Sequence, residues 1–260
     1  MIKRLLTWIL VIASISLMVW VMVTASKKNR ADVPAGILNY AVNVNDWALL
    51  KDSGGVRAIY GKEFSDYLAS LPSKILGGKD VAVQATIGTT TSASATTKKV
   101  VVIVEYSDFQ CPACGTYHPI LKKLLSELSG EALFVYRHYP LFTIHPNAEK
   151  AAIATEAAAL QGGAEAFWAM HDTLFEKQDV WSSMVDPTEA FKEFAVINKL
   201  NPEKFEKDLL NQSLRKKITD SYKEGAKEGI MGTPTIYING EQIANPASYE
   251  NLKSMVESKY

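Results

Sequence analysis

The chain of 260 residues contains two cysteines, Cys111 and Cys114, which lie three positions apart. A scaffold of structural disulfides needs several spaced pairs, so these residues are predicted to form a local dithiol or part of a metal site. Thiol–disulfide exchange needs one thiolate at ambient pH and a second thiol close enough to resolve the mixed disulfide. The segment Cys-Pro-Ala-Cys supplies both groups, and it would cycle between a dithiol and a Cys111–Cys114 disulfide.

Pro112, one of the two residues between the cysteines, favours a helix that starts at the dithiol. Pro112 suits the first position of a helix, which places Cys111 at the helix N-terminus. There the helix dipole and the free backbone N–H groups stabilise a thiolate, so Cys111 is expected to be an exposed nucleophile. Cys114 lies one turn further on the same face and is expected to be the buried resolving thiol. An inert pair of core cysteines and a metal site are the alternatives.

His118 could join the two cysteines as a third metal ligand. Structural zinc sites use four ligands, and the sequence contains no second cysteine pair. We therefore expect no metal ion and no cofactor other than the disulfide itself. His118 is interpreted as a residue on the helix surface near the dithiol.

The elements around the dithiol follow an α/β order. Residues 100–104 are all β-branched, which is typical of a strand buried on both faces. A helix is predicted from about residue 112 to residue 128. The further predicted elements are a strand over residues 133–139, helices between residues 145 and 228, a hairpin strand over 236–238 with the turn Asn239-Gly240, and a helix over 248–258.

The N-terminus has the pattern of a membrane segment. Lys3 and Arg4 precede an uncharged run over residues 5–23, whose 19 residues match the thickness of a bilayer core. We predict a signal anchor or transmembrane helix over residues 1–25, with cleavage after Ala25 as the alternative. The protein would then lie in the cell membrane with a single pass and an extracytoplasmic catalytic domain. The alternative is a secreted or periplasmic protein, and both compartments allow disulfides to persist.

The chain is predicted to have three parts. After the membrane segment, residues 26–97 are interpreted as a linker or N-terminal extension, and residues 98–260 as one folded domain. Within the middle part we predict a helix over residues 62–71, a strand over 81–87 and a spacer of small polar residues over 89–97.

Net charge at pH 7 is zero, but it is unevenly distributed. Residues 1–99 contain twelve Lys/Arg and six Asp/Glu, whereas residues 100–260 contain sixteen and twenty-two, a net charge of −6. Phosphate binding needs a basic face, so this acidic part argues against nucleic acid as a partner. Polypeptide substrates are compatible with it.

Four segments together resemble the DsbA-like thioredoxin-fold oxidoreductases. They are EYSDFQCPAC at residues 105–114, HPNAE at 145–149, FWAMHD at 167–172 and GTPTIYING at 232–240. The similarity is greatest to the membrane-anchored subgroup typified by BdbD, and it covers about residues 98–260. It implies a thioredoxin fold with an inserted helical domain over about residues 140–228, preceded by the transmembrane helix and linker.

The resemblance also implies roles for three residues outside the dithiol. Pro234 would be a cis-proline beside the sulfur atoms, with an ordinary trans turn proline as the alternative. Thr233 would offer backbone groups to a substrate strand. Glu105 would be a buried acid that relays the proton of Cys114, with a solvated carboxylate at a strand end as the alternative.

The same resemblance favours an oxidase that donates the Cys111–Cys114 disulfide to unfolded or newly exported polypeptides with free thiols. A quinone-linked thiol oxidase in the membrane would reoxidise the pair, and a membrane tether would raise the effective concentration of the two partners. A thiol reductase or disulfide isomerase is the first alternative, because Pro-Ala lacks a histidine that could further stabilise the thiolate. A redox-inactive binding module is the second.

Overall fold

The computed structural model describes residues 46–70, 100–244 and 248–260. The predicted membrane segment over residues 1–25, the strand over 81–87 and the spacer over 89–97 lie outside these ranges. Among the described helices, none combines the length and the apolar character needed to cross a membrane. The N-terminal anchor therefore stays a prediction.

A mixed sheet of six strands forms the centre of the described fold. In chain order the strands are β1 (Trp47–Asp52), β2 (Gly55–Ile59), β3 (Val100–Ser107), β4 (Glu131–His138), β5 (Thr235–Ile238) and β6 (Glu241–Gln242). Their spatial order is β2-β1-β4-β3-β5-β6. Only β3 and β4 are parallel, and the other neighbouring strands are antiparallel. Strand β3, which leads to the dithiol, is thus an interior strand.

Eight helices accompany the described sheet. They are α1 (Lys62–Ser70), α2 (Pro112–Glu127), α3 (Ala148–Glu176), α4 (Gln178–Trp181), α5 (Thr188–Ile197), α6 (Pro202–Leu209), α7 (Gln212–Lys227) and α8 (Tyr249–Glu257). Helices α3 to α7 lie between β4 and β5, the place at which the resemblance implied a helical insertion. Helix α3 has a kink at Gly162 and Gly163, and Gly163 has φ of 63°, a conformation that glycine adopts without steric cost.

Two strands lie earlier in the chain than the predicted domain boundary at residue 98. Strand β1 pairs with β4 from Trp47↔Tyr136 to Lys51↔Ala132, and β2 extends the sheet beyond β1. Residues 47–59 therefore form part of the central sheet and are not a linker. Their strand partner comes much later in the chain, so local sequence patterns do not reveal the pairing.

The two faces of β3 explain its run of β-branched residues. Val101 and Ile103 belong to the apolar core shared with α2 and α3. Val102 and Val104 belong to a second core on the opposite face, which includes Phe64 of α1. Because successive side chains of a strand point to opposite faces, every residue of this strand is buried.

Candidate active site

Both cysteines lie at the N-terminal end of α2. The helix begins at Pro112, so Cys111 precedes its first turn and Cys114 lies within that turn. Both are free thiols, and the side chain of Cys114 is fully buried. Cys111 is only 6% exposed, which corrects the expectation of an exposed nucleophile. Its Sγ lies 3.4 Å from the carbonyl oxygen of Thr233, so the loop at Thr233 covers it.

The two thiols have opposite pKa shifts. The pKa of Cys111 is lowered to about 5: the hydrogen bond from the Cys114 thiol is the largest cause, Thr233 and backbone N–H groups add to it, and burial opposes it. Burial raises the pKa of Cys114 well above that of a free thiol, and its hydrogen bond to Cys111 and the charge of Glu105 add to the rise. At neutral pH Cys111 is therefore a thiolate and Cys114 a protonated thiol, the asymmetry that exchange chemistry needs.

The loop that faces Cys111 contains a cis peptide bond between Thr233 and Pro234. This geometry agrees with the resemblance and excludes the alternative of a trans turn proline. Strand β5 begins directly after the loop, at Thr235, and pairs there with Tyr106 of β3. The pairing holds the Thr233 carbonyl beside the sulfur of Cys111. A role of Thr233 in binding a substrate strand stays a prediction.

Glu105 is a buried acid in the strand that leads to the dithiol. Its side chain is 2% exposed, and its Oε1 accepts a hydrogen bond of 2.8 Å from the Ser107 hydroxyl. The pKa of Glu105 is raised to about 7. Burial is the largest cause, the hydrogen bond from Ser107 opposes it, and the charge of Cys111 adds to it. This position excludes the alternative of a solvated carboxylate. A carboxyl group with this pKa can hold or release a proton at neutral pH.

Asp108, which the sequence analysis did not single out, fixes the loop before α2. Its carboxylate accepts hydrogen bonds from the backbone N–H groups of Gln110 at 2.7 Å and Leu141 at 2.9 Å. Its Oδ2 also lies 2.7 Å from Nδ1 of His145. The carbonyl of Asp108 accepts from the N–H of Cys111 at 3.1 Å. Its proximity to the cysteines was the only sequence signal for this role.

Gln178 of α4 connects the helical insertion to the dithiol. Its Nε2 donates to the carbonyl oxygens of Phe109 at 2.7 Å and Cys111 at 2.9 Å. A Cβ atom at Gly115 would lie 2.5 Å from Oε1 of Gln178, so a larger residue there would displace the Gln178 amide. No local pattern indicates this contact, because its partners are distant in sequence.

His118 is buried, which corrects its interpretation as a surface residue. It is 7% exposed, and its ring stacks on Phe175 of α3 with centroids 5.1 Å apart. In the described part of the chain, one group of three potential metal ligands has closely spaced donor atoms: His118, His171 and Asp172. Neither cysteine belongs to it, so the geometry does not support a metal site built from the dithiol and His118.

Similar sequences are found in sodium/proton antiporters and in a disulfide bond formation protein. The sequence profile of a family described as thioredoxin matches residues 91–258. The Na⁺/H⁺ antiporter NhaA 3 of Salinispora tropica is 35% identical over 160 residues, which are 62% of this chain and 23% of that protein. The chain thus spans about a quarter of the length of such antiporters. The probable disulfide bond formation protein D of Bacillus anthracis is 28% identical over 169 residues, 61% of this chain and 73% of that protein.

Solved structures give the same result for the fold. BdbD from Bacillus subtilis in its oxidised form has a TM-score of 0.53 and 26% identity, over 61% of this chain and 86% of that chain. The α-DsbA1 protein of Wolbachia pipientis has a TM-score of 0.55 and 19% identity, over 62% of this chain and 85% of that chain, which supports the fold alone. The profile match covers more than half of the chain. The chain therefore belongs to the thioredoxin family, and within it the chain is similar to the DsbA- and BdbD-like thiol–disulfide oxidoreductases.

Proposed function

We propose that this protein is a thiol–disulfide oxidoreductase and that it acts as an oxidase of polypeptides with free thiols. The observation that carries the proposal is the split protonation of the dithiol, with the pKa of Cys111 near 5 and the pKa of Cys114 raised. Two adjacent thiols with this difference suit a nucleophile or leaving group followed by a resolving thiol. The similarity to the probable disulfide bond formation protein D of Bacillus anthracis and to BdbD supports the same chemistry.

The reaction runs in two exchange steps. A substrate thiolate attacks Sγ of Cys111 in the disulfide, and Cys114 leaves and takes up a proton, for which Glu105 is the proposed donor. A second substrate thiolate then attacks the substrate sulfur of the mixed disulfide, and Cys111 leaves as a thiolate. The substrate thus loses two electrons and gains a disulfide, and the pair Cys111–Cys114 is reduced.

The low pKa of Cys111 supports the oxidising direction. A thiol of low pKa is a good leaving group, and a stabilised thiolate favours the reduced form of the enzyme, which makes its disulfide a stronger oxidant. The reductase and isomerase alternatives rest on the absence of a histidine between the cysteines. They predict a lower reduction potential.

The proposed setting is extracytoplasmic, with the chain held by a membrane segment over residues 1–25. The uncharged run at the N-terminus and the similarity to BdbD support this setting. Newly exported polypeptides would be the substrates, bound in part by the backbone of Thr233 next to the cis bond of Pro234. A quinone-linked membrane oxidase would restore the disulfide, because each cycle leaves the pair reduced.

The reduction potential of the pair tests the proposal. The full chain, in detergent, is equilibrated with glutathione buffers and the oxidised fraction is measured. A potential of about −120 mV is expected of an oxidase, whereas a potential of about −270 mV would establish the reductase alternative. If no intramolecular disulfide forms, the redox-inactive module is the better account. With oxidised glutathione, the Cys114→Ser variant should accumulate a mixed disulfide between Cys111 and glutathione, with release of one reduced glutathione, and Cys111→Ser should not.

A further inference from the structure

A cluster of three potential ligands lies between α2 and α3, apart from the dithiol. His118, His171 and Asp172 each offer one donor atom, and these atoms lie within 4.8 Å of one another. Oδ1 of Asp172 is 3.8 Å from Nε2 of His118 and 3.0 Å from Nδ1 of His171. Ligand atoms arranged tetrahedrally around zinc, each at its usual bond length, are about 3.3 Å apart. The spacing therefore suits a single ion after small side-chain adjustments.

The imidazole of His118 carries an independent sign of a ligand. The side chain of His118 is 8% exposed and that of His171 is 3% exposed. Nε2 of His118, which lies 3.8 Å from Oδ1 of Asp172, is buried and has no hydrogen-bond partner among the described residues. Buried polar atoms normally have partners, so this nitrogen calls for an explanation, and His171 would contribute its Nδ1 atom to the same ion. Both rings line a cavity of about 320 Å³, which also reaches Asp172 and Lys122.

Oδ1 of Asp172 has its hydrogen-bond contact within the cluster, with Nδ1 of His171 at 3.0 Å. Lys122 donates to Oδ2 of Asp172 at 2.7 Å and to Oε1 of Glu176 at 2.9 Å. Oδ1 of the same aspartate faces the imidazoles. The three charged side chains sum to −1, which favours a cation. Lys122 would orient the carboxylate as an outer partner, as metal-binding carboxylates usually require.

We propose that His118, His171 and Asp172 bind one divalent transition-metal ion, for which zinc is the best fit. Two imidazoles and a carboxylate are a ligand set that suits zinc, and a fourth position would be open to water in the cavity. The site uses neither cysteine. From the sequence we expect no metal ion, but that expectation considers only a site built from the dithiol and His118. The proposal does not depend on the oxidoreductase activity.

Zinc titration of the full chain tests this site. The dithiol is first oxidised to the disulfide, so that the thiols cannot bind zinc, and the protein then competes with a chromophoric chelator. One equivalent of zinc is expected to bind. His118→Gln and Asp172→Asn should each weaken binding by more than about 100-fold, since outer partners alone contribute about 10- to 100-fold. Asp186→Asn is the matched control, because Asp186 accepts a similar bond of 2.7 Å from Lys150, and it should not change the affinity.

Two outcomes would overturn the proposal. The first is that the oxidised chain binds no stoichiometric zinc. The second is that variants with the circular dichroism spectrum of the parent bind zinc as tightly as the parent. Cobalt gives a second readout, because its visible absorption reports the ligand set: the spectrum should change in His171→Gln and stay the same in Asp186→Asn.

Discussion

Two buried glutamates lie on the central part of the fold in different surroundings. Glu105 of β3 and Glu156 of α3 are 2% and 3% exposed. Glu105 has one close polar partner in its own strand, the Ser107 hydroxyl, and burial raises its pKa to about 7. An acid in this position is neutral or charged depending on small changes in pH or in neighbouring charge.

Glu156 has three partners from three other elements. Its Oε1 accepts from Nε1 of Trp47 at 2.8 Å and lies 3.2 Å from Nε2 of His138, and its Oε2 accepts from Nζ of Lys217 at 2.7 Å. Burial alone would raise the pKa of this carboxyl group, but His138 and Lys217 lower it overall. The lowered pKa favours the anionic form of Glu156, which joins β1, β4, α3 and α7.

The comparison shows that partners, rather than burial, decide what a buried acid does. A carboxylate with a cation and several donors stabilises a tertiary junction. A carboxyl group with one hydroxyl donor keeps a proton that it can exchange. The charge of Glu105 acts on Cys114, so this proton can be transferred to the resolving thiol. Glu156 is thus expected to matter for folding and Glu105 for the exchange steps.

The largest expected effect is a loss of stability in the Glu156→Gln variant. Loss of the anion leaves Lys217 and His138 without their charged partner, and breaking such a buried pair costs about 3 kcal/mol or more. Urea unfolding should show this loss in the free energy of unfolding, with little change in exchange rate per folded molecule. Glu149→Gln on the same helix removes a surface ion pair with Arg215 and should cost less than about 1 kcal/mol. Equal losses in the two variants would contradict the comparison.

Glu105 should make the free energy of unfolding depend on pH, by an amount similar to the loss in Glu156→Gln. Its pKa is higher in the folded state than in the unfolded state, so the folded state binds more protons between the two values and stability falls as pH rises through about 7. The shift corresponds to about 3 kcal/mol, present at low pH and lost at high pH. The parent and Glu105→Gln are unfolded with urea at about pH 5 and pH 8. Between these two pH values the free energy of unfolding should decrease less in the variant than in the parent. Parallel pH profiles would contradict the assignment.

The same variant should slow the exchange reaction. Without a carboxyl group near Cys114, proton transfer to and from the resolving thiol loses its relay, and such a group contributes about 100-fold in rate. Stopped-flow reduction of the disulfide by a thiol peptide should show the slower step, and its dependence on pH near 7 should disappear. An unchanged rate and profile in Glu105→Gln would remove Glu105 from the mechanism.

A smaller loss is expected in Lys217→Met. Glu156 keeps Trp47 and His138 but loses its cation, and a hydrogen bond between charged groups contributes about 2 kcal/mol. Because the lysine lowers the pKa of Glu156 in the folded state, its loss raises that pKa, so the stability deficit of the variant relative to the parent should shrink as pH falls towards the range of free carboxyl groups. Thermal and urea unfolding measure both effects. A variant as stable as the parent would show that His138 alone holds the anion.

The features near the dithiol could be predicted from sequence because their signals are local. Pro112 indicated the helix start, and Asn239 and Gly240 indicated a turn that indeed has positive φ values of 50° and 79°. Glu156 could not be found in this way, since its contact with Trp47 joins residues 109 positions apart. The same holds for Gln178 and for strands β1 and β2, whose structure depends on partners far along the chain.

The most direct test of the central claim is the pKa of Cys111 in the reduced full chain. The rate of alkylation by iodoacetamide, or the ultraviolet absorbance of the thiolate, is measured against pH. Because the pKa of Cys114 is raised, the first titration belongs to Cys111. A midpoint near 5 is predicted. A midpoint of about 8.5, the pKa of an ordinary thiol, would contradict the proposed exchange mechanism.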